Sequence, residues 1–293
     1  MNKERKLAYL ALLATAILWG IAPPIIKYTF SFITPFSFLF YRFLIAFGLV
    51  FFPFILRLKK FKPGKKDLGS YFFLAFLCAP LNLGLLFLGI QRTTAIDASL
   101  ISIISPVLII LGGAFFLKEQ VTKNERIGIG LALSGTFLTI IQPMLERKAD
   151  IGPNIIGNLL VLLGTFSWVV FSLLIKKKHR LDPFLLTCFS YLVGLICVFP
   201  FFLIEKASLS SLALPGILYM AIFCSVFANF FYVFGFSKIE ASEATVFTYL
   251  QPVFSVPLSV LLLNEKITPA FVFGATLIML GVFICELRLP ARH

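Results

Sequence analysis

Two segments of the chain carry polar side chains three residues apart and end in a proline. Steps of three place such side chains on one face of a helix. Their hydroxyl and amide groups could hydrogen-bond a polar solute, and each proline frees the carbonyl four residues earlier. Alternatively, the hydroxyls bond their own helix and the prolines only kink packed helices. The two sets are Ser99, Ser102, Ser105 and Pro106, and Thr245, Thr248, Gln251 and Pro252.

Arg42 is a cation inside an apolar stretch. It lies seven residues after Pro35, where that stretch begins, which is ~10 Å along a helix axis. A charge at the centre of a bilayer costs ~2.5–3.5 kcal/mol on insertion scales, and less at this depth. Two hypotheses follow: a cationic wall for a carboxylate-bearing substrate, or an arginine that snorkels outward or bonds a neighbouring helix carbonyl.

Further candidates for a polar solute path lie in other apolar stretches. Asn82, Asn229 and Tyr232 could bind a solute, although a lone buried Asn also joins helices. Trp19 and Trp168 match at an offset of 149 residues and are candidate cavity walls. Two adjacent prolines, Pro23 and Pro24, are predicted to interrupt the first helix and free the carbonyls around Trp19.

Asp97 and Glu243 are acidic residues that each open a long predicted helix. A carboxylate there is stabilised by the helix dipole by ~0.3–1 kcal/mol. The functional hypothesis is that they mark two gates or couple transport to a proton. The Thr122 and Glu125 pair has the spacing of a capping box and predicts a helix start.

Composition places the chain in a lipid bilayer. The 293 residues are 59% hydrophobic and 13% charged, with a mean hydropathy of +0.99, whereas soluble domains carry about 25% charged residues. Ten apolar stretches are long enough for helices that cross ~30 Å of hydrocarbon. They are Leu7–Tyr28, Pro35–Ile55, Ser70–Ile90, Ala95–Leu117, Asn124–Gln142, Ile155–Ile175, Pro183–Glu205, Pro215–Ser237, Ala241–Leu263 and Thr268–Glu286.

The second half of the chain repeats the first at an offset of 146 residues. Gly89 matches Gly235, Pro106 matches Pro252 and Glu119 matches Glu265 without a gap. Five spans in each half would place the copies in opposite orientations, as in transporters with inverted repeats. We therefore expect an all-α integral membrane fold of ten transmembrane helices, with one five-helix repeat at 1–148 and the other at 149–293.

The distribution of basic residues predicts the orientation. Of the 26 Lys and Arg residues, 19 fall on the side of the N-terminus, six fall on the opposite side and Arg42 lies within a span. The positive-inside rule then places both termini in the cytoplasm. We expect the protein in the inner or plasma membrane. The net charge of +13 is thus a topology signal, and no nucleic-acid partner is expected.

Other kinds of chemistry have little support. The chain lacks a phosphate-binding Gly-rich motif for ATP, and neither His179 nor His293 has a ligand-like spacing. Its five cysteines fall in apolar spans without a C-x-x-C pair. No cofactor and no metal site are therefore expected.

These residues together resemble the drug/metabolite transporter superfamily, specifically its EamA-type members with tandem five-helix domains. One departure is that Ser190 stands opposite Arg42 when Pro35 is aligned with Pro183. The resemblance is carried by Trp19-Gly20, Pro35, Arg42-Phe43, Ala46, Gly89 to Ala95, Ala98, Pro106, Leu117-Lys118-Glu119, and in the second half by Trp168, Gly235, Ala241, Ala244, Pro252 and Leu263-Asn264-Glu265.

The resemblance implies a bundle around a central substrate cavity, lined mainly by spans 1, 3, 4, 6, 8 and 9. We expect a secondary transporter, not an enzyme, that moves a small organic metabolite by alternating access. An amino acid or related zwitterion is the expected cargo, and export is the expected direction. The alternatives are a flippase or exchanger of a lipid-linked or nucleotide-linked sugar, and an integral membrane enzyme.

Overall fold

The computed structural model describes residues 3–61, 64–117, 122–147, 153–177, 181–205, 209–238, 247 and 249–286. Every regular element within these ranges is helical, which confirms the predicted all-α class. A helix suits an apolar segment in lipid because its backbone N–H and C=O groups hydrogen-bond one another within the segment.

The described residues of the first half form seven α-helical segments and one π-helical segment. Its α7 begins with the predicted capping box: the Thr122 N–H donates to Glu125 at 2.7 Å and the Glu125 N–H donates to Thr122 at 3.3 Å. The elements are α1 (Lys3–Thr29), α2 (Pro35–Phe61), α3 (Lys65–Phe76), π1 (Leu77–Leu81), α4 (Asn82–Arg92), α5 (Ala95–Ser102), α6 (Ser105–Leu117) and α7 (Lys123–Arg147).

The second half follows a similar order in its described residues. Its elements are α8 (Pro153–Lys177), α9 (Pro183–Glu205), α10 (Leu214–Leu218), π2 (Tyr219–Phe227), α11 (Ala228–Lys238), α12 (Gln251–Leu263) and α13 (Pro269–Glu286). Across the described ranges, seven helical stretches are long and apolar enough to cross a membrane, and Gln251–Leu263 and Pro269–Ile284 are shorter apolar helices.

Span 4 is not the continuous helix that the sequence predicts. It divides at Ile103 and Ile104, between α5 and α6. Pro106 has no N–H to donate to the Ser102 carbonyl, so the α-helical ladder loses a bond at this point.

The helices of spans 3 and 8 also depart from regular α-helix, at matching places. Leu77–Leu81 and Tyr219–Phe227 are π-helical, and adding 146 to the first range places it within the second. Stretches of π-helix often lie at functional sites. Both of these segments contribute to the cavity described below.

Pro23 and Pro24 do not break the first helix, contrary to prediction. The α1 helix runs through both prolines to Thr29. Neighbouring helices make this possible, since a transmembrane helix can tolerate proline when packing and nearby polar groups satisfy the freed backbone.

Helices from the two halves pack against each other in pairs. The main pairs are α7 with α13, α4 with α8, α2 with α9, and α1 with α11. In the first pair, Gly135 lies against Gly274, and Gly281 lies against Ala132. Since later residues of α7 meet earlier residues of α13, these two helices run antiparallel.

The α2 and α9 helices are also antiparallel. Phe36 near the start of α2 stacks on Phe201 near the end of α9, with 4.7 Å between ring centroids. At the other end, Arg57 forms an ion pair with Asp182 at 2.6 Å. Aromatic contacts along this pair form part of the main hydrophobic core.

Candidate substrate cavity

A cavity of about 410 Å³ lies between the two halves of the bundle. It draws side chains from the six spans implied by the resemblance and also from α2 and α9. Of the predicted path residues, it brings together Trp19, Pro23, Arg42, Asn82, Ser102, Trp168, Asn229, Tyr232 and Gln251.

Other predicted residues lie elsewhere. The described residues that line the cavity do not include Ser105, Pro24, Pro106, Pro252 or Asp97. Ser105 and Pro106 begin α6, just beyond the break, so the serine stripe leaves the cavity wall after Ser102. The predicted Thr248 and Glu243 lie outside the described residues.

Arg42 is buried in the cavity wall, with 7% of its surface exposed. Its Nε donates to the Ser225 hydroxyl at 3.0 Å, and its Cζ lies 5.8 Å from the centroid of the Phe87 ring. Its Nη1 is buried without a hydrogen-bond partner. Outward snorkelling is therefore wrong, and the neighbouring group that Arg42 bonds is a hydroxyl instead of a carbonyl.

A polar network holds the serine that anchors Arg42. The Ser225 hydroxyl donates to the Met220 carbonyl at 2.9 Å, a bond that spans five residues within π2. Tyr191 donates to the Ser225 carbonyl, and the Asn229 amide donates to the same carbonyl at 2.7 Å. The π-helical turn and α9 thus jointly fix the position of the guanidinium group.

Sequence reasoning did not identify Tyr191 or Ser225 as part of this site. A usable signal was present, because Tyr191 follows Ser190, the residue aligned with Arg42. Ser225 gave no such signal, since it is separated from Arg42 by 183 positions. Asn229 also bonds the Tyr191 hydroxyl at 3.1 Å, so it joins helices as well as lining the cavity.

Aromatic rings form two walls of the cavity. Trp19 packs on Tyr232 with 5.2 Å between ring centroids, and its indole N–H donates to the Cys224 carbonyl at 3.1 Å. Trp168 packs on Phe171, also at 5.2 Å. Such walls favour an apolar surface on the ligand.

Two predicted polar residues in the wall bond their own helices. The Ser102 hydroxyl donates to the Ala98 carbonyl at 2.8 Å, and the Asn82 amide donates to the Cys78 carbonyl at 3.3 Å. Ser102 therefore lines the cavity and also bonds its own helix, so the two hypotheses do not exclude each other. Each carries oxygen acceptor capacity beyond these donated bonds.

At one end of the bundle, a carboxylate from the second half caps a helix of the first half. Glu265, just after α12, accepts the N–H groups of Ala95 at 2.7 Å and Ile96 at 3.0 Å, at the start of α5. Nearby, Lys27 donates to the Ile90 carbonyl at 2.8 Å. Burial raises the pKa of Glu265, and this effect outweighs the lowering by the two N–H groups and Lys27.

Asp97 lies in the same capped helix start. It is buried in the first turn of α5, where its N–H donates to the Thr94 hydroxyl at 3.0 Å. Thr94 is thus the N-cap residue of α5. Lys27 and Glu265, which interact electrostatically, form a cluster that links the two halves here.

The model of the EamA-like transporter family matches residues 6–141 and again residues 155–286. The chain belongs to the EamA-like transporter family. This membership confirms the resemblance drawn from the duplicated motifs, and together with the long apolar helices it makes the chain an integral membrane protein.

Several curated relatives of this EamA-like protein span almost its whole length. An uncharacterized transporter of Archaeoglobus fulgidus (strain ATCC 49558 / DSM 4304 / JCM 9628 / NBRC 100126 / VC-16) is 30% identical, over 94% of this chain and 97% of its own. The uncharacterized transporter YyaM of Bacillus subtilis (strain 168) is 27% identical, over 96% and 95%. A probable amino-acid metabolite efflux pump of Escherichia coli (strain K12) is 26% identical, over 96% and 95%.

A solved crystal structure shares the fold of this EamA-like protein. It has a TM-score of 0.66 at 17% sequence identity and covers 94% of this chain and 95% of its own. At that identity the likeness concerns the fold alone.

Proposed function

We propose that this protein is a secondary transporter that moves a small organic metabolite, an amino acid or related zwitterion, by alternating access. Export is the proposed direction, in line with the relative that is named as a probable efflux pump. The observation that carries the proposal is the cavity between the halves, into whose wall Arg42 brings an unpartnered donor. A cavity of about 410 Å³ is of the size that holds small ligands.

The proposed architecture is ten transmembrane helices in two inverted repeats, at 1–148 and 149–293. The two matched family segments support this division. The antiparallel packing of α7 on α13 and of α2 on α9 supports the inversion, because in each pair the helices are equivalent members of the two copies. Equivalent helices that pack antiparallel must cross the membrane in opposite directions.

The proposed state of the molecule is closed to the outside and faces inward. With both termini in the cytoplasm of a plasma or inner membrane, the Lys27 and Glu265 cluster lies at the outer end. The cavity continues past Arg42 to Leu181 and Pro183, at the inner start of α9. We propose Asp97 and Glu243 as the residues that mark the two gates or couple transport to a proton.

Transport by the reconstituted protein tests the function. We expect flux of a carboxylate-bearing metabolite in proteoliposomes, with a pH gradient imposed in a parallel arm to test proton coupling. Gln251→Ala and Ser102→Ala should lower the flux several-fold while the folded yield stays near that of the parent. Ser134→Ala is the matched control, because Ser134 also bonds the carbonyl four residues earlier at 2.8 Å but is exposed on α7. Equal loss of flux and folded protein would favour a packing role.

Cysteine labelling in intact cells tests the orientation. A cysteine placed at Arg147 should react with an impermeant reagent, and one at Lys62 should not, because the charge distribution puts them on opposite sides. Permeabilised cells supply the control, in which both positions should react. The reverse pattern would contradict the cytoplasmic placement of both termini.

A further inference from the structure

We propose that the cavity recognises its cargo as an organic monocarboxylate with a bulky apolar body, and that an amino group on the cargo is not a recognition element. This inference rests on the proposed function, since it takes the cavity as the transport site. It narrows the cargo from zwitterions in general to branched-chain or aromatic carboxylates, with or without the amino group.

The first step concerns which edge of Arg42 is open to a ligand. Its Nε is already bonded to the Ser225 hydroxyl at 3.0 Å, whereas its Nη1 is buried and has no partner. The terminal edge of the guanidinium group is therefore the one available to a carboxylate, which it can bind through two parallel N–H donors.

The second step concerns how rigidly that edge is held. Ser225 is bonded to Met220 within π2, and its carbonyl accepts from Tyr191 and Asn229. Three hydrogen bonds thus hold Ser225 in place, and Ser225 in turn orients the Arg42 guanidinium group. Ser225 is a positioning residue in this account, because it orients the guanidinium group and does not itself contact the cargo.

The third step concerns the rest of the cargo. The walls beside Arg42 are largely apolar and include Phe43 and the Trp19 and Trp168 ring pairs. Among the described residues that line the cavity, Arg42 is the one charged side chain. These walls bind an apolar body, with each buried CH₂ group tightening binding about fourfold, and the described lining offers an ammonium group no opposite charge.

Binding to the purified full-length protein tests the inference directly. The chain has two tryptophans, Trp19 and Trp168, and both line the cavity, so intrinsic fluorescence reports occupancy without transport. The probes share one branched body: 4-methylpentanoate, leucine, 4-methylpentanamide and 3-methylbutylamine. Acetate serves as the short carboxylate.

We expect 4-methylpentanoate and leucine to bind within about threefold of each other. The amide, the amine and acetate should bind at least tenfold more weakly than 4-methylpentanoate, because each lacks the carboxylate or the apolar body. Leucine that binds tenfold tighter than 4-methylpentanoate would overturn the inference. An amide that binds as tightly as the acid, or no binding by any probe at millimolar concentration, would overturn it as well.

Variants separate the charge from its positioning. The parent should bind the acid at least tenfold more tightly than the amide, whereas Arg42→Gln should bind the two with about equal affinity. Ser225→Ala should weaken binding of the acid several-fold and leave binding of the amide unchanged, whereas Ser134→Ala should alter neither. A preference ratio does not depend on the folded fraction, and an unchanged ratio in Arg42→Gln would refute the assignment.

The outcomes also distinguish the two proposals. Selective binding of 4-methylpentanoate without flux in proteoliposomes would refute the proposed transport and still support the carboxylate site. Flux without a preference for the carboxylate would refute the carboxylate site and still support the transport.

Discussion

Gly20 lies where α1 passes against α12 at the wall of the cavity, and adding one methyl group there should destabilise the protein. A Cβ atom at Gly20 would lie 2.6 Å from the Gln251 carbonyl oxygen and 3.1 Å from the Gln251 Cα. Because both atoms belong to the backbone, no side-chain rotation can make room. The two helices would have to move apart by several tenths of an ångström.

The expected magnitude follows from comparison with a second glycine. Overpacking of this kind lowers the free energy of unfolding by about 1–3 kcal/mol. Replacing a helical Gly by Ala raises it by up to about 1 kcal/mol through helix propensity. Gly84→Ala on α4 receives the same propensity gain, but its Cβ would meet nothing within 4 Å. Gly20→Ala should therefore be about 1–3 kcal/mol less stable than Gly84→Ala, or about 2–12 °C lower in Tm at 2–4 °C per kcal/mol.

Thermal unfolding of the detergent-purified variants, followed by tryptophan fluorescence, is the assay. The double variant of Gly20→Ala and Gln251→Ala adds a second check, because truncating the Gln251 side chain leaves its backbone in place. Its loss of stability should equal the sum of the single losses within about 0.5 kcal/mol. Equal Tm values for Gly20→Ala and Gly84→Ala, or rescue in the double variant, would refute the close backbone approach of α1 and α12.

Three further predictions concern contacts between the halves. On α7, Gly135→Ala should be about 1–3 kcal/mol less stable than Gly130→Ala in the same assay. A Cβ at Gly135 would lie 2.7 Å from a backbone oxygen of α13, whereas one at Gly130 meets nothing within 4 Å. Equal stability of the two variants would contradict the contact. Glu265→Ala should cost about 0.5–2 kcal/mol by leaving the N–H groups of Ala95 and Ile96 without their acceptor. Since burial raises the pKa of Glu265, the parent should gain stability relative to Glu265→Gln as the pH falls through that raised pKa toward the ordinary value of 4.5. Parallel pH profiles of the parent and Glu265→Gln would contradict the raised pKa.

The positions of the helices could be predicted from the sequence because lipid imposes a simple local rule. A segment that crosses hydrocarbon must be apolar and about 20 residues long, so α2 and α9 begin at the residues that hydropathy indicates, Pro35 and Pro183. The capping box of Thr122 and Glu125 is equally local, since both partners lie within one turn. The family resemblance was also readable, because a duplicated pattern is a property of the order of residues.

The local rules failed where packing determines the backbone. Pro23 and Pro24 predicted a break that α1 does not have, whereas span 4, predicted as one continuous helix, is interrupted just before Pro106. The π-helical segments gave no composition signal, because an inserted residue changes the bonding register and not the residue types.

The sequence by itself determined that this chain lies in a membrane, carries a duplicated pattern and has a cation, Arg42, within one of its apolar stretches. The tertiary structure decided which edge of that cation is free. Ser225 and Tyr191 approach Arg42 only because α9 and π2 both pack against α2. A hydrogen bond depends on distances of about 3 Å and on direction, and between residues 183 positions apart both are set by helix packing, which no local pattern encodes.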